Sequence, residues 1–138
     1  MKTIIQQRIS ALREAMKHYN MGAYIIPSSD PHLSEYPADC WKSRQWISGF
    51  TGSAGTVVIT ADKAGLWTDS RYFLQAAKEL EGSGIELYKM GLPETPGLPA
   101  FILRNLQENE TVGLDGQTYS VADAEELNLV LKKKKITL

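Results

Sequence analysis

Side chains that could carry catalysis or bind a metal are sparse, and they concentrate in one polar loop. Asp30, His32 and Ser34 have the residue types of a nucleophile triad, but they crowd into a single short segment, and no Gly-x-Ser-x-Gly elbow accompanies them. His18 and His32 are the only histidines, and no His-x-x-x-His, Cys-x-x-Cys or carboxylate cluster has the spacing of metal ligands. The sequence therefore predicts neither a catalytic triad nor a metal site, and His32 is interpreted as a hydrogen-bonded loop residue.

The single cysteine, Cys40, is a second possible nucleophile. Basic neighbours at Lys42 and Arg44 could activate its thiol, but a lone cysteine beside Trp41 is more typical of packing. One cysteine also excludes an intramolecular disulfide and a cysteine-rich zinc site. Together these features predict a cytoplasmic protein.

Gly49, Gly52 and Gly55 resemble a phosphate-binding loop at first sight. A Walker sequence needs a lysine followed by Ser or Thr after the last glycine, and this pair is missing here. A dinucleotide-binding fingerprint should lead into a helix. This segment instead leads into a predicted strand, so tight turns explain the glycines and nucleotide binding is not expected.

Arg71 is the residue whose position most favours a binding role. It falls in the first turn of a predicted helix, where the helix dipole disfavours a cation. Asp69 could compensate the charge locally, or the planar guanidinium could point outward to a carboxylate or a peptide carbonyl. Residue chemistry alone leaves these two interpretations equal.

The elements that position these residues follow from hydrophobic periodicity. On one face of the first helix apolar residues recur at spacings of three and four, namely Ile5, Ile9, Leu12, Met16 and Tyr19. The predicted helices cover 3–20, 40–47, 70–81, 99–107 and 120–133, and the predicted strands cover 23–27, 56–60, 65–68, 85–90, 111–115 and the start of one at 136–138. The short turn at 61–64 makes strands 56–60 and 65–68 antiparallel, so the chain is predicted to be α/β around one mixed sheet.

Composition and charge exclude several classes of protein. The 138 residues, 43% hydrophobic and 22% charged, fit one globular domain, and no apolar run is long enough for a membrane span or a secretory signal. Without Lys132, Lys133, Lys134 and Lys135 the chain has 11 basic and 16 acidic residues, a net charge of −5. That sign argues against a nucleic-acid partner, and the lysine run is interpreted as the solvated end of a helix.

Several motifs in a fixed order resemble one known family. They are YIIPSSD (24–30), HLSEY (32–36), ISGFTGSAGT (47–56), WTDSRYFLQA (67–76), MGLPETP (90–96) and VGLD (112–115). In this order they look like the N-terminal domain of Xaa-Pro aminopeptidase (aminopeptidase P), of the three-domain cytosolic form. The resemblance covers roughly residues 20–120.

The resemblance implies a creatinase-type N-terminal domain over 1–138, with a six-stranded mixed sheet flanked by helices and a ribonuclease H-like motif. Catalysis in such enzymes belongs to a separate C-terminal domain that holds two metal ions, usually manganese, on two Asp, one His and two Glu. None of those ligand motifs occurs here, so the chain is expected to be a fragment of a longer protein, without catalytic or metal-binding residues of its own.

The implied role is to wall the active-site cleft and limit access to short peptides with a free N-terminus. The arginine of the family's Trp-Thr-Asp-x-Arg-Tyr motif faces the substrate, which makes Arg71 the predicted substrate-binding residue. The implied partners are the missing middle and C-terminal domains, an Xaa-Pro peptide and, for the full-length protein, a second copy of itself. A prolidase or creatinase relative, or a peptide- or histone-binding module without catalysis, is the alternative.

Overall fold

The chain folds into one sheet with helices on both faces. The computed structural model describes residues 2–138, and it describes Lys2 by its backbone alone. The helices are α1 (Lys2–His18), α2 (Ser43–Ser48), α3 (Phe73–Glu79), α4 (Leu98–Asn105) and α5 (Val121–Leu131). The strands are β1 (Ala23–Ile26), β2 (Thr56–Thr60), β3 (Ala64–Thr68), β4 (Glu86–Lys89) and β5 (Val112–Leu114). Short 3₁₀ turns precede α2 (Asp39–Trp41) and α3 (Ser70–Tyr72), and a third follows α5 (Lys132–Lys134).

The sheet has the order β4-β3-β2-β1-β5 and mixes both strand directions. β2 is antiparallel to its neighbours β1 and β3, whereas β5 runs parallel to β1 and β4 runs parallel to β3. The predicted mixed α/β fold and the antiparallel hairpin of β2 and β3 are therefore confirmed.

Alternating side chains of the central strands fill two separate cores. Val57 and Ile59 of β2 face one side, where they pack with Ile5, Ile9 and Met16 of α1. On the other side, Val58 packs with Ile25 and Trp67 and with residues of α4 and α5. The sheet is thus buried on both faces, as expected for a layer between two sets of helices.

The first helix confirms most of its predicted apolar stripe. Ile5, Ile9 and Met16 are buried, but Tyr19 is exposed. The helix ends at His18, and Asn20 adopts a left-handed backbone with a φ of 57°, so the side chain of Tyr19 leaves the buried face.

The expectation of six strands is wrong, because the described residues form five. At the predicted sixth strand, Thr137 makes only an isolated bridge with Thr111. The Val112 N–H donates to the Thr137 carbonyl at 2.7 Å, and the Thr137 N–H donates to the Glu110 carbonyl at 3.1 Å. Lys135, with a left-handed φ of 58°, turns the chain just before this point, so one residue pairs where a strand would need several.

The lysine run closes the last helix as predicted. α5 ends at Leu131, and the lysines that follow are exposed except Lys134, which is half-buried. Lys134 Nζ donates to the Leu103 carbonyl at 2.6 Å, so this cation satisfies a backbone acceptor at the end of α4. None of the helices in residues 2–138 combines the length and apolarity that crossing a bilayer demands.

Candidate functional site

Arg71 lies where the buried strand β3 gives way to α3. Asp69 adopts an extended backbone after the strand, and its Oδ1 accepts the Arg71 N–H at 3.0 Å, which caps the turn Ser70–Tyr72. A carboxylate in this position satisfies an N–H that has no partner within the turn. Asp69 is thus the cap of this turn, and it fixes the backbone of Arg71 at the end of β3.

Asp69 also holds the Arg71 side chain through a two-point contact. Arg71 Nε donates to Asp69 Oδ1 at 3.0 Å, and Arg71 Nη2 donates to Asp69 Oδ2 at 2.9 Å. This side-chain hydrogen bonding raises the pKa of Arg71 and is the main cause that lowers the pKa of Asp69. Asp69 therefore compensates the charge of Arg71 locally, as one interpretation of the sequence held. The same contact keeps the guanidinium protonated and restricts its orientation.

The rest of the Arg71 guanidinium faces outward. Two of its five N–H groups go to Asp69, while Nη1 lies 3.7 Å from Glu35 Oε1 and the side chain is 58% exposed. The ring of Tyr72 lies beneath it, 5.1 Å from the guanidinium carbon. Arg71 thus keeps donors available to a ligand in addition to its contact with Asp69.

Two loops meet at this arginine. The Ser53 hydroxyl shares a hydrogen bond with the Tyr72 hydroxyl and donates to Glu35 Oε1 at 3.4 Å. We call Glu35, Ser53, Asp69, Arg71 and Tyr72 the Arg71 cluster. The 32–36 segment contributes Glu35 to it, and the 49–55 segment contributes Ser53.

The glycines of the 49–55 loop serve the backbone rather than a phosphate. Gly49 ends α2 with a left-handed φ of 76°, a conformation that L side chains rarely adopt. At Gly52, a Cβ atom would come within 2.3 Å of the Phe50 ring, so a larger residue would displace this loop. Turn geometry accounts for Gly49, as the sequence predicted, whereas close packing accounts for Gly52.

Asp30, His32 and Ser34 form a turn and not a triad. Asp30 Oδ1 accepts the N–H groups of His32 at 2.9 Å and Ser34 at 3.0 Å. The hydrogen bond from the Ser34 backbone is the main cause that lowers the pKa of Asp30. No group of three or more His, Cys, Asp and Glu side chains within the described residues could hold a metal ion. This part of the chain therefore does not fit a two-metal centre.

Arg44 is a candidate binding residue that the sequence indicated only as a basic neighbour of Cys40. It is only 7% exposed, and its guanidinium carbon lies 4.9 Å from the centre of the Phe50 ring. Nη2 donates to the Gly52 carbonyl at 2.5 Å, and burial lowers the pKa of Arg44 to about 10, so the group stays protonated at neutral pH. The sequence did contain an indication of this burial. Ile47 and Ser48 follow Arg44 by three and four residues, so all three share the buried face of α2.

Comparison with family profiles matches residues 8–137 to the Creatinase/Prolidase N-terminal domain. Aminopeptidase P2 of Arabidopsis thaliana is 47% identical over 135 residues, which cover 96% of this chain and 19% of that protein. A probable Xaa-Pro aminopeptidase P of Laccaria bicolor is 46% identical over 128 residues, which cover 93% of this chain and 20% of that protein. The chain thus spans about a fifth of the length of the curated relatives it matches.

A solved structure agrees with these relatives. The X-prolyl aminopeptidase of Caenorhabditis elegans, described as a cytosolic enzyme with a di-nuclear active site, superposes with a TM-score of 0.80 at 35% identity. The match covers 85% of this chain and 19% of that enzyme. Sequence and fold comparisons therefore point to the same family as the motifs around Arg71.

Proposed function

Because this chain belongs to the creatinase/prolidase N-terminal domain family, we propose that it is the noncatalytic N-terminal domain of a proline-directed metalloaminopeptidase. The parent protein would remove the N-terminal residue from Xaa-Pro peptides and would be of the three-domain cytosolic type. Its relatives are Xaa-Pro aminopeptidases about five times as long as this chain, which supports middle and C-terminal domains as its partners.

The observation that carries the proposed role is the arrangement of Arg71. Its backbone is held by the cap at Asp69, its guanidinium is anchored on one edge by the same carboxylate, and its remaining donors face solvent. Such a donor loses little conformational freedom on binding, which favours recognition of a peptide carbonyl or carboxylate. This arrangement supports Arg71 as a residue through which the chain touches substrate.

The chain's contribution is binding and access, since its described residues offer no ligand set for a metal. Two divalent ions, of which manganese is the expected kind, would be held by the C-terminal domain of the parent. The Arg71 cluster would form one wall of the cleft between the two domains and restrict it to short peptides with a free N-terminus. The parent would be a cytoplasmic protein, which is supported by the cytosolic C. elegans relative. It would form a homodimer mainly through its other domains.

Substrate length tests this proposal in the full-length parent protein. The expected result is release of the N-terminal residue from Xaa-Pro peptides of three or more residues, measured by chromatography of the products. Preference for Xaa-Pro dipeptides would assign the parent to the prolidases, and turnover of creatine would assign it to the creatinases. If no substrate is cleaved while the isolated chain binds a basic peptide with micromolar affinity, the chain is a binding module and the proposal is wrong.

A further inference from the structure

Arg44 is a buried cation without a carboxylate partner. Its Nε and Nη1 have no hydrogen-bond partner within residues 2–138, although both atoms are buried. Buried charges in proteins are normally paired, because an unpaired ion loses its hydration without compensation. Its Nη2 donates to the neutral carbonyl of Gly52, and the Phe50 ring beside it is uncharged, so neither contact supplies an opposite charge.

The acidic side chains that influence Arg44 or share its cavity, Glu79 and Glu35, are already engaged. The two oxygens of Glu79 accept the Thr51 N–H at 2.8 Å, the Thr51 hydroxyl at 2.7 Å and Gln75 Nε2 at 2.8 Å. Glu35 accepts from Ser53 and faces Arg71. The fold therefore supplies Arg44 with acids at a distance but with none in direct contact.

Arg44 lines a cavity of about 170 Å³ between the 28–38 loop and the 49–55 loop. Lys42, whose Nζ pairs with Asp39 Oδ1 at 3.0 Å, also lines it, while Glu35 and Ser53 connect it to the Arg71 cluster. The volume is below the roughly 300–1,000 Å³ of sites that enclose a whole drug-sized ligand, so the cavity suits one end of a peptide.

We propose that this cavity is a carboxylate-binding subsite, in which the Arg44 guanidinium takes the terminal carboxylate of a short peptide that also contacts Arg71. The Gly52 carbonyl accepts one of the two hydrogens on Nη2. If it accepts the one on the side of Nε, then Nη1 and Nη2 keep a parallel pair of N–H groups; if it accepts the other, Nε and Nη2 keep such a pair. Either pair matches the two oxygens of a carboxylate. The inference rests on the proposed function for the identity of the peptide, whereas the charge and shape of the cavity do not depend on it.

The Nε–H signal of Arg44 in NMR spectra of the ¹⁵N-labelled chain reports on this site directly. Titration with sodium acetate should move the signal saturably, with a Kd of about 1–10 mM, the range expected for one charge-assisted contact. Sodium chloride at equal ionic strength should not reproduce the shift. The peptide Ala-Pro-Ala should bind about 10- to 100-fold more tightly than Ala-Pro-Ala amide, which lacks the terminal charge.

Two variants make the test specific. Arg44→Lys keeps the charge but removes the planar pair of donors, so acetate binding should fall at least about tenfold. Because this variant lacks the Arg44 Nε–H, binding to both proteins is followed by the backbone amide signal of Gly52, whose carbonyl contacts Arg44. Arg104→Lys, an exposed arginine on α4, should leave binding unchanged. If Arg44→Lys does not fold, the titration of the unmodified chain decides alone.

The inference would be overturned by any of three results: no saturable shift with acetate, an equal shift with chloride, or equal binding of the free and amidated peptides. Acetate binding without activity of the parent would refute the proposed function and keep the carboxylate subsite. Aminopeptidase activity without acetate binding would do the reverse, so the two failures are distinguishable.

Discussion

Replacing Arg71 with alanine in the full-length parent protein is expected to lower kcat/KM for Xaa-Pro peptides by about 10- to 100-fold, the loss typical of a charged hydrogen bond to substrate. The change removes the donors that face solvent beyond the contact with Asp69. It leaves the Asp69 cap of the backbone in place, because that bond comes from the Arg71 main chain. Steady-state kinetics with a series of Xaa-Pro peptides measure the effect.

Two controls separate substrate contact from damage to the fold. The metal content and thermal unfolding of the Arg71→Ala protein should equal those of the unmodified protein, because Arg71 is an exposed side chain. Arg104→Ala, which removes an exposed arginine on α4, should keep normal kinetics. Normal kcat/KM in the Arg71→Ala protein would refute the substrate role.

Replacing Phe50 with alanine is expected to lower the free energy of unfolding of this chain by about 3–5 kcal/mol, the usual cost of deleting a buried phenyl ring. Phe50 is fully buried and packs edge-to-face on Tyr72, with ring centres 5.8 Å apart. Its ring also lies beneath the Arg44 guanidinium and beside Gly52, so no neighbouring side chain can readily fill the space. Equilibrium unfolding in urea measures the change.

Phe73→Ala is the matched control, since the same atoms are removed from a half-buried ring at the start of α3. Its expected cost is about 1–2 kcal/mol, because less apolar surface returns to water. A loss at Phe50 no larger than the loss at Phe73 would contradict the packing described for the 49–55 loop. A total stability of about 5–15 kcal/mol, as in most domains, makes both changes measurable.

The sequence was informative wherever structure depends on neighbours along the chain. The apolar spacing of Ile5, Ile9 and Met16 identified the buried face of α1. Asp69 and Ser120 are residue types that commonly cap helices, and each accepts a backbone N–H from two or three residues ahead. Such contacts are local, so the order of residue types contains the information they need.

Long-range contacts were harder to predict. Nothing in the local pattern indicates that Glu35 and Ser53 approach Arg71, since they lie in loops brought together only by the sheet. Arg44 was missed for a related reason, because a cation in a short helix is ordinarily assigned to solvent. Its burial depends on Gly52 and Phe50, which fold back over it after the helix has ended.

The most direct test of the central claim is an assay of the purified 138-residue chain with manganese and Ala-Pro-Ala. We predict no release of N-terminal alanine above the buffer control, because the described residues contain no cluster of metal ligands. The parent protein, assayed in parallel, should release it. Turnover that persists in the isolated chain through further purification would contradict the account.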